Sequence, residues 1–223
     1  SNFSTRLETH ISSRLHAARL LRSHFTTVTD PDISAFRAEA QVVHNIFRDL
    51  QALNWVDPTG IIRVTTPEEG NEGALGLDIR ALNIPSQALA AAETTGQMQI
   101  TSPINLAQGG RGFAGYSPII KNGQSAGFIN IVFRVDPLFY SALGARIGRT
   151  HQIKVYDQDE ELFSSSGVFV SNLMSPSTIV SVNGREWSIV IAPTEMQIAC
   201  FDTFQDEAVL ILGGLLSLVT AFL

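Results

Sequence analysis

The chain has 223 residues, 44% hydrophobic and 16% charged, so it can bury a real core and is not a disordered chain. A net charge of −6 and scattered cationic residues exclude a nucleic-acid-binding face, which needs a basic surface. The lone cysteine, Cys200, excludes an internal disulfide and with it a small disulfide-stapled module.

Residues 1 to about 25 predict a helix, because Phe3, Leu7, Ile11, Leu15, Ala18, Leu21 and Phe25 recur at three- and four-residue spacing. Thr29-Asp30-Pro31-Asp32 breaks it, since proline stops a helix and aspartate caps the next one. A second helix is expected to about Leu53, with Phe36, Ala40, Val43, Ile46, Leu50 and Leu53 as its apolar edge. Then the period changes to two. Ala52–Val56 and Ile61–Thr65 read as a hairpin around the turn Asp57-Pro58-Thr59-Gly60. Residues 66–79 read as a loop rich in glycine and glutamate. Ser86–Thr95 is an alanine-rich helix stopped by Gly96. Three strands follow, Met98–Thr101, Gly112–Ile120 and Ser125–Val135, the last two joined by the hairpin dipeptide Asn122-Gly123. The expectation is a five-stranded antiparallel sheet with its helices to one side, an α+β architecture.

Ser141–Thr150 reads as a linker to a second, smaller sheet. Gln152–Tyr156 and Glu161–Ser164 flank the acidic turn Asp157–Glu160, and Thr178–Val182 and Glu186–Ala192 flank Asn183-Gly184. After Glu207 come sixteen uncharged residues, AVLILGGLLSLVTAFL. A membrane span needs about 20 apolar residues, so this run reads as the start of a transmembrane helix, with a C-terminal core or dimer helix as the alternative. Domains are therefore expected at 1–53 (helical stalk), 54–140 (main sheet), 141–197 (second sheet) and 198–223 (membrane helix).

No catalytic constellation is evident. His10, His16, His24, His44 and His151 have no metal-binding spacing, and Cys200 has no evident base. Glu68, Glu69, Glu72 and Asp78 form an acidic loop, either a reader of cationic groups or a solvated loop in which Asp78 holds a turn. It lacks the spacing of a calcium loop. Gln108-Gly109-Gly110-Arg111-Gly112 lacks the G-K-[ST] sequel of a phosphate loop and reads as a β-connection, with Arg111 a candidate carboxylate reader. Trp55–Phe133 thus suits a pocket that binds something rather than one that converts it.

The runs PEEGNEGALGLDIR, AAAETTGQMQITSPINLAQGGRGFAGYSPI and GFINIVFRVDPLF resemble the CHASE domain over residues 34 to 140. That family is the extracytoplasmic sensory module of histidine kinases and diguanylate cyclases, including plant cytokinin receptors. The tail, with VYDQDEELF and VNGREWSIVIAP, is similar to the family's membrane-proximal portion. The resemblance implies long N-terminal helices, a membrane-distal PAS-like sheet that binds a ligand, a smaller membrane-proximal PAS-like sheet and flanking membrane helices. It implies a pocket lined by Ile100–Leu106, Phe113–Pro118 and Gly127–Phe133. Asp78 is the acidic residue nearest in motif to the one that reads adenine in the cytokinin receptors. Tyr116 stands where that family has a small polar residue, so a cytokinin-like ligand is not implied.

The candidate ligand-binding residues are Trp55, Thr101, Leu106, Phe113, Tyr116, Phe128 and Asn130, with Asp78 and Arg111 as polar candidates. No catalytic residue, metal or cofactor is expected. The expected partners are a small-molecule ligand, the membrane through the C-terminal helix and a second copy in a parallel homodimer. No nucleic-acid partner is expected. The alternative is a membrane-tethered interaction domain with no small-molecule ligand.

Overall fold

The computed structural model describes residues 2–27, 32–144, 151–165, 177–195 and 198. Helix α1, Asn2–Thr27, buries the stripe Leu7, Ile11, Leu15, Ala18, Leu21 and Phe25, the set its spacing predicts. Helix α2, Ile33–Ile46, starts where the Asp32 carboxylate accepts the Ser34 N–H at 2.8 Å. It ends earlier than expected. Leu50 and Leu53, which extend its apolar spacing, lie instead in strand β1, Leu50–Val56. The apolar side chains from Ile46 onward fit either period, and pairing of Leu50 with Phe133 decides for the strand.

Strands β2 (Ile62–Thr66), β3 (Gln99–Ile100), β4 (Ile104–Asn105), β5 (Arg111–Lys121) and β6 (Gln124–Arg134) complete the first sheet. Its order is β2-β1-β6-β5-β3, with β4 also on β5, so it has six strands where five are expected. The β5–β6 hairpin turns on Asn122 (φ 51°) and Gly123 (φ 77°), the paired positive φ that the Asn-Gly signal predicts. Helix α3, Asn83–Thr95, ends at Gly96 with φ 66°.

The helices are not on one side. α1 and α2 cover one face of the sheet, and α3 packs on the other, against β5 and β3. Two short 3₁₀ turns, Glu72–Ala74 and Ile79–Ala81, lie within and just past the stretch expected to be loop. Helix α4, Val135–Leu143, replaces the first part of the expected linker. It follows β6 without a break and buries Leu138, Phe139, Ala142 and Leu143. The rest of that linker, at 145–150, falls outside the described residues.

The second sheet has strands β7 (His151–Asp157), β8 (Glu160–Ser164), β9 (Thr178–Val182) and β10 (Arg185–Pro193), in the order β8-β7-β10-β9. Its β9–β10 turn again uses Asn-Gly, with φ 48° at Asn183 and 84° at Gly184. The two sheets and α1 share one apolar core. Trp187 of β10 meets Phe113 of β5 edge-on at 5.3 Å and Phe139 of α4 at 5.8 Å. At the edge of this core the Arg19 guanidinium donates to Asn183 Oδ1, while Asn183 Nδ2 donates to the Met98 carbonyl at 2.9 Å.

Close approach of strands fixes one glycine. Gly127 has φ 112°, and a Cβ there would lie 2.4 Å from the Val56 carbonyl oxygen. Gly127→Ala is expected to destabilise the chain by more than ~1 kcal/mol, read as a lower urea midpoint. An unchanged midpoint would show that β1 and β6 can separate there without cost.

The apolar C-terminal run and Cys200 lie outside the described residues. Among the described residues no helix is long and apolar enough to cross a membrane.

Candidate functional site

Alternation between the bulges assigns the side chains of the central strands to two faces. Phe113, Ile129, Ile131 and Phe133 point to α1, while Ala114, Tyr116, Phe128, Asn130 and Val132 point the other way. On β1, Leu53 and Trp55 face the N-terminal helices and Asn54 and Val56 face away. The outward face is the floor of a cavity of about 520 Å³. One wall is the segment from Leu77 through the start of α3 at Pro85, and the other is the loop and β4 strand from Pro103 to Gln108. Glu160, from the second sheet, reaches its rim.

Register builds the floor from rungs across the sheet. One rung is polar: Thr65, Asn54, Asn130, Tyr116 and Gln99 stand side by side on β2, β1, β6, β5 and β3. The next is apolar: Ala52, Val132 and Ala114. Asn130 Nδ2 donates to the Gly115 carbonyl at 3.1 Å, and Asn54 Nδ2 donates to Asn130 Oδ1 at 2.7 Å. Asn54 is fully buried, and among the described residues its Oδ1 has no donor. Tyr116 is 2% exposed, and burial pushes its phenol pKa well above the ordinary value, so it stands in the cavity as a neutral hydroxyl.

Four of the nine expected residues, Leu106, Arg111, Tyr116 and Asn130, line this cavity. Trp55 and Phe113 do not. They lie on the opposite face, Trp55 against Phe36 at 6.5 Å and Phe113 stacked on Phe133 at 4.8 Å, because an odd separation from Tyr116 or Asn54 along a strand reverses the face. Phe128 shares the cavity's face but packs with Val56 and Tyr116 in the core under α3. Thr101 is buried beside β5, where its hydroxyl accepts the Ala114 N–H at 3.0 Å.

Asp78 holds a turn: it precedes the second 3₁₀ turn and accepts the Arg80 N–H at 2.9 Å. Elsewhere in the acidic loop, Glu72 accepts the Gly70 N–H at 3.0 Å and Glu68 pairs with Arg37 at 3.1 Å. Arg111 is committed to the second sheet, donating to the Glu160 carboxylate and to the Glu161 carbonyl. Its partner is 49 residues away, and the local Gln108–Gly112 pattern carries no sign of it. The glycines of that pattern close the β4–β5 turn, where Gly109 N–H donates to the Leu106 carbonyl at 2.9 Å.

Sequence reasoning misses the wall from Leu77 to Pro85 and, on the floor, Asn54. A signal exists: ALNWV and FINIV each set an asparagine within an apolar strand, and a buried polar side chain is more informative than an apolar one. Among the described residues no group of three or more His, Cys, Asp or Glu is placed to hold a metal ion.

A cavity walled by short turns on the face of an antiparallel sheet away from α1, with a second sheet sharing the core on the other side, defines a two-sheet module with a cavity in its first sheet. The CHASE domain model matches residues 23–164, and the chain belongs to that family. The match begins in α1 and extends through β8, beyond the stretch where the sequence motifs lie.

Solved structures share the fold. The extracellular ligand binding receptor from Desulfohalobium retbaense superposes with a TM-score of 0.69 at 15% identity, covering 85% of this chain and 38% of that one. The chain therefore spans well under half of that receptor's length. The ligand-binding domain of the Pseudomonas aeruginosa amino acid chemoreceptor PctC, in complex with GABA, gives 0.64 at 17% identity, covering 85% and 95%. That of the Pseudomonas fluorescens chemoreceptor CtaA, in complex with L-leucine, gives 0.63 at 17%, covering 85% and 89%. No curated protein matches the sequence.

Proposed function

We propose that this chain is the extracytoplasmic ligand-sensing domain of a membrane-bound signalling receptor and binds a small molecule in the cavity of its first sheet. The observation that carries this reading is the cavity itself, about 520 Å³, floored by a buried polar rung. A volume of that size suits one small ligand. A module that served only to dock another protein would have no need to leave this space unfilled by its own side chains. Membership of the CHASE family and the likeness to chemoreceptor domains bound to GABA and L-leucine support the same reading.

In this reading the first sheet is membrane-distal and the second membrane-proximal. The run after Glu207 is a membrane helix leading to a cytoplasmic output domain, a histidine kinase or a diguanylate cyclase. The chain itself is not an enzyme, and α1 pairs with its copy in a parallel dimer. Ligand in the cavity would shift the first sheet against the second, a coupling of ~1–3 kcal/mol in typical receptors. Three contacts are placed to transmit it: Arg111 with Glu160, Asn183 with Met98, and Trp187 with Phe113.

Native mass spectrometry of the purified chain is expected to find a carried-over small molecule. A screen of amino acids and other metabolites is expected to include one that raises the melting temperature. A ligand at a hundred times its Kd stabilises by ~2.7 kcal/mol, which moves Tm by several degrees in a domain of this size. Tyr116→Ala is expected to reduce that shift. No carried-over molecule and no shift across the screen would overturn the sensor reading.

A further inference from the structure

The polarity of the cavity floor restricts what can occupy it, an inference that rests on the sensor reading above. The orientation of both floor amides follows from one backbone group. The Gly115 carbonyl can only accept, so Asn130 turns its Nδ2 toward it at 3.1 Å and leaves its Oδ1 facing β1. That Oδ1 can only accept in turn, so Asn54 turns Nδ2 toward it at 2.7 Å. The relay ends in Asn54 Oδ1, a fully buried acceptor with no donor among the described residues, on a side chain that lines the cavity. Thr65, its neighbour in the rung on β2, does not supply the donor, since its own hydroxyl is buried and has no partner among the described residues. A buried acceptor left unmet is costly, and a ligand donor placed there recovers much of that cost.

Among the described residues the floor offers no charge, and the one carboxylate and the one cation that line the cavity are Glu160 and Arg111, which face each other at the more exposed rim. An ammonium on Asn54 would be desolvated with no counter-ion, and a carboxylate would meet the lone pairs of Oδ1. Beside the relay lie Val132 and Ala114, which suit an apolar body. We propose that the cavity takes an uncharged ligand that directs an N–H or O–H donor at Asn54 Oδ1 and lays an apolar body over Val132 and Ala114. Amides, lactams and neutral N–H heterocycles have that chemistry. Free ammonium compounds do not.

Four probes of one shape isolate the polar group: benzamide, toluene, benzylamine and benzoate, each at the same millimolar concentration with the full chain at pH 7. Benzamide is expected to raise the melting temperature and the other three to leave it nearly unchanged. Asn54→Leu is expected to weaken benzamide roughly tenfold, the worth of one buried hydrogen bond. Because Asn54→Leu also strands Asn130, Ala114→Leu serves as a second variant that fills the floor and keeps both amides. It is expected to abolish the benzamide shift. A toluene shift equal to that of benzamide, or a benzamide shift that is undiminished in Asn54→Leu or persists in Ala114→Leu, overturns the proposal. So does a larger shift with benzylamine or benzoate, and that result leaves the sensor reading standing. If no probe binds, the ligand chemistry proposed is wrong, and the carried-over molecule in native mass spectrometry decides the sensor reading separately.

Discussion

Trp187→Ala is expected to cost about 3–5 kcal/mol of stability and to divide unfolding into two transitions. Trp187 is 1% exposed and is the largest fully buried side chain. Its ring meets Phe113 of the first sheet at 5.3 Å and Phe139 of α4 at 5.8 Å, so its loss opens a void where the two sheets share their core. Void and lost transfer free energy add, and Phe113 loses its edge contact as well. The measurement has a built-in reporter. The chain has two tryptophans, so in the variant Trp55 alone reports on the first sheet while far-UV circular dichroism follows both. Urea curves by the two probes are expected to separate. Coincident curves with a loss below ~1 kcal/mol would mean that α1, rather than Trp187, joins the sheets. Trp187→Phe, which keeps an aromatic ring in the space, is expected to lose less.

Asp49→Ala is expected to be of similar size, for an electrostatic reason. Asp49 lies in the short turn between α2 and β1, with its side chain 8% exposed. Arg14 Nε donates to both its oxygens at 3.0 Å, Arg14 Nη2 donates at 2.9 Å, and His10 Nε2 lies 2.6 Å from Oδ2. Arg14 is itself held by the His10 carbonyl at 2.7 Å and by the face of Phe47 at 4.8 Å. Removing the carboxylate leaves a buried guanidinium without its counter-charge, which costs ~3–5 kcal/mol when no water replaces it.

The same group makes stability depend on pH. Burial raises the Asp49 pKa, but hydrogen bonds from His10 and Arg14 and the Arg14 charge outweigh it and hold it at about 2. The ordinary value is 3.8. A folded pKa below the unfolded one means that the native state binds fewer protons. Its stabilisation, ~2 kcal/mol, is therefore complete above the ordinary value and is lost as pH falls from there through about 2. Asp57 is also held at about 2: burial raises it, while hydrogen bonds from Thr59, the Ile61 N–H and Arg63 outweigh that. Part of the acid sensitivity therefore persists in Asp49→Asn. Urea midpoints from pH 6 to pH 2 are expected to fall less steeply in Asp49→Asn than in the parent. Parallel curves would show that the pair contributes nothing to acid stability.

Much of this protein is determined within short windows of sequence. The α1 stripe is a three- and four-residue pattern that needs no partner to be read, and Leu7 to Phe25 are buried as that pattern requires. Asn122-Gly123 and Asn183-Gly184 set their turns because positive φ at both positions is a local cost that few residues meet cheaply. The CHASE motifs lie within the stretch that the family model matches.

Tertiary structure alone decided the rest, because it depends on partners distant in sequence. The apolar spacing of Ile46, Leu50 and Leu53 fits helix or strand, and only Phe133, opposite Leu50, resolves it. Val135–Leu143 carries apolar residues that suit a strand end as well as a helix, and burial against α1 and the second sheet favours the helix. Trp55 and Phe113 have the composition of pocket residues, but the pleat puts them on the helix-covered face. Arg111 has the chemistry of a carboxylate reader, and the carboxylate it meets is Glu160. Asn54 and Asn130 are 76 residues apart. Each is only a polar residue in an apolar strand until β1 and β6 pair, and that register turns two asparagines into one directed acceptor.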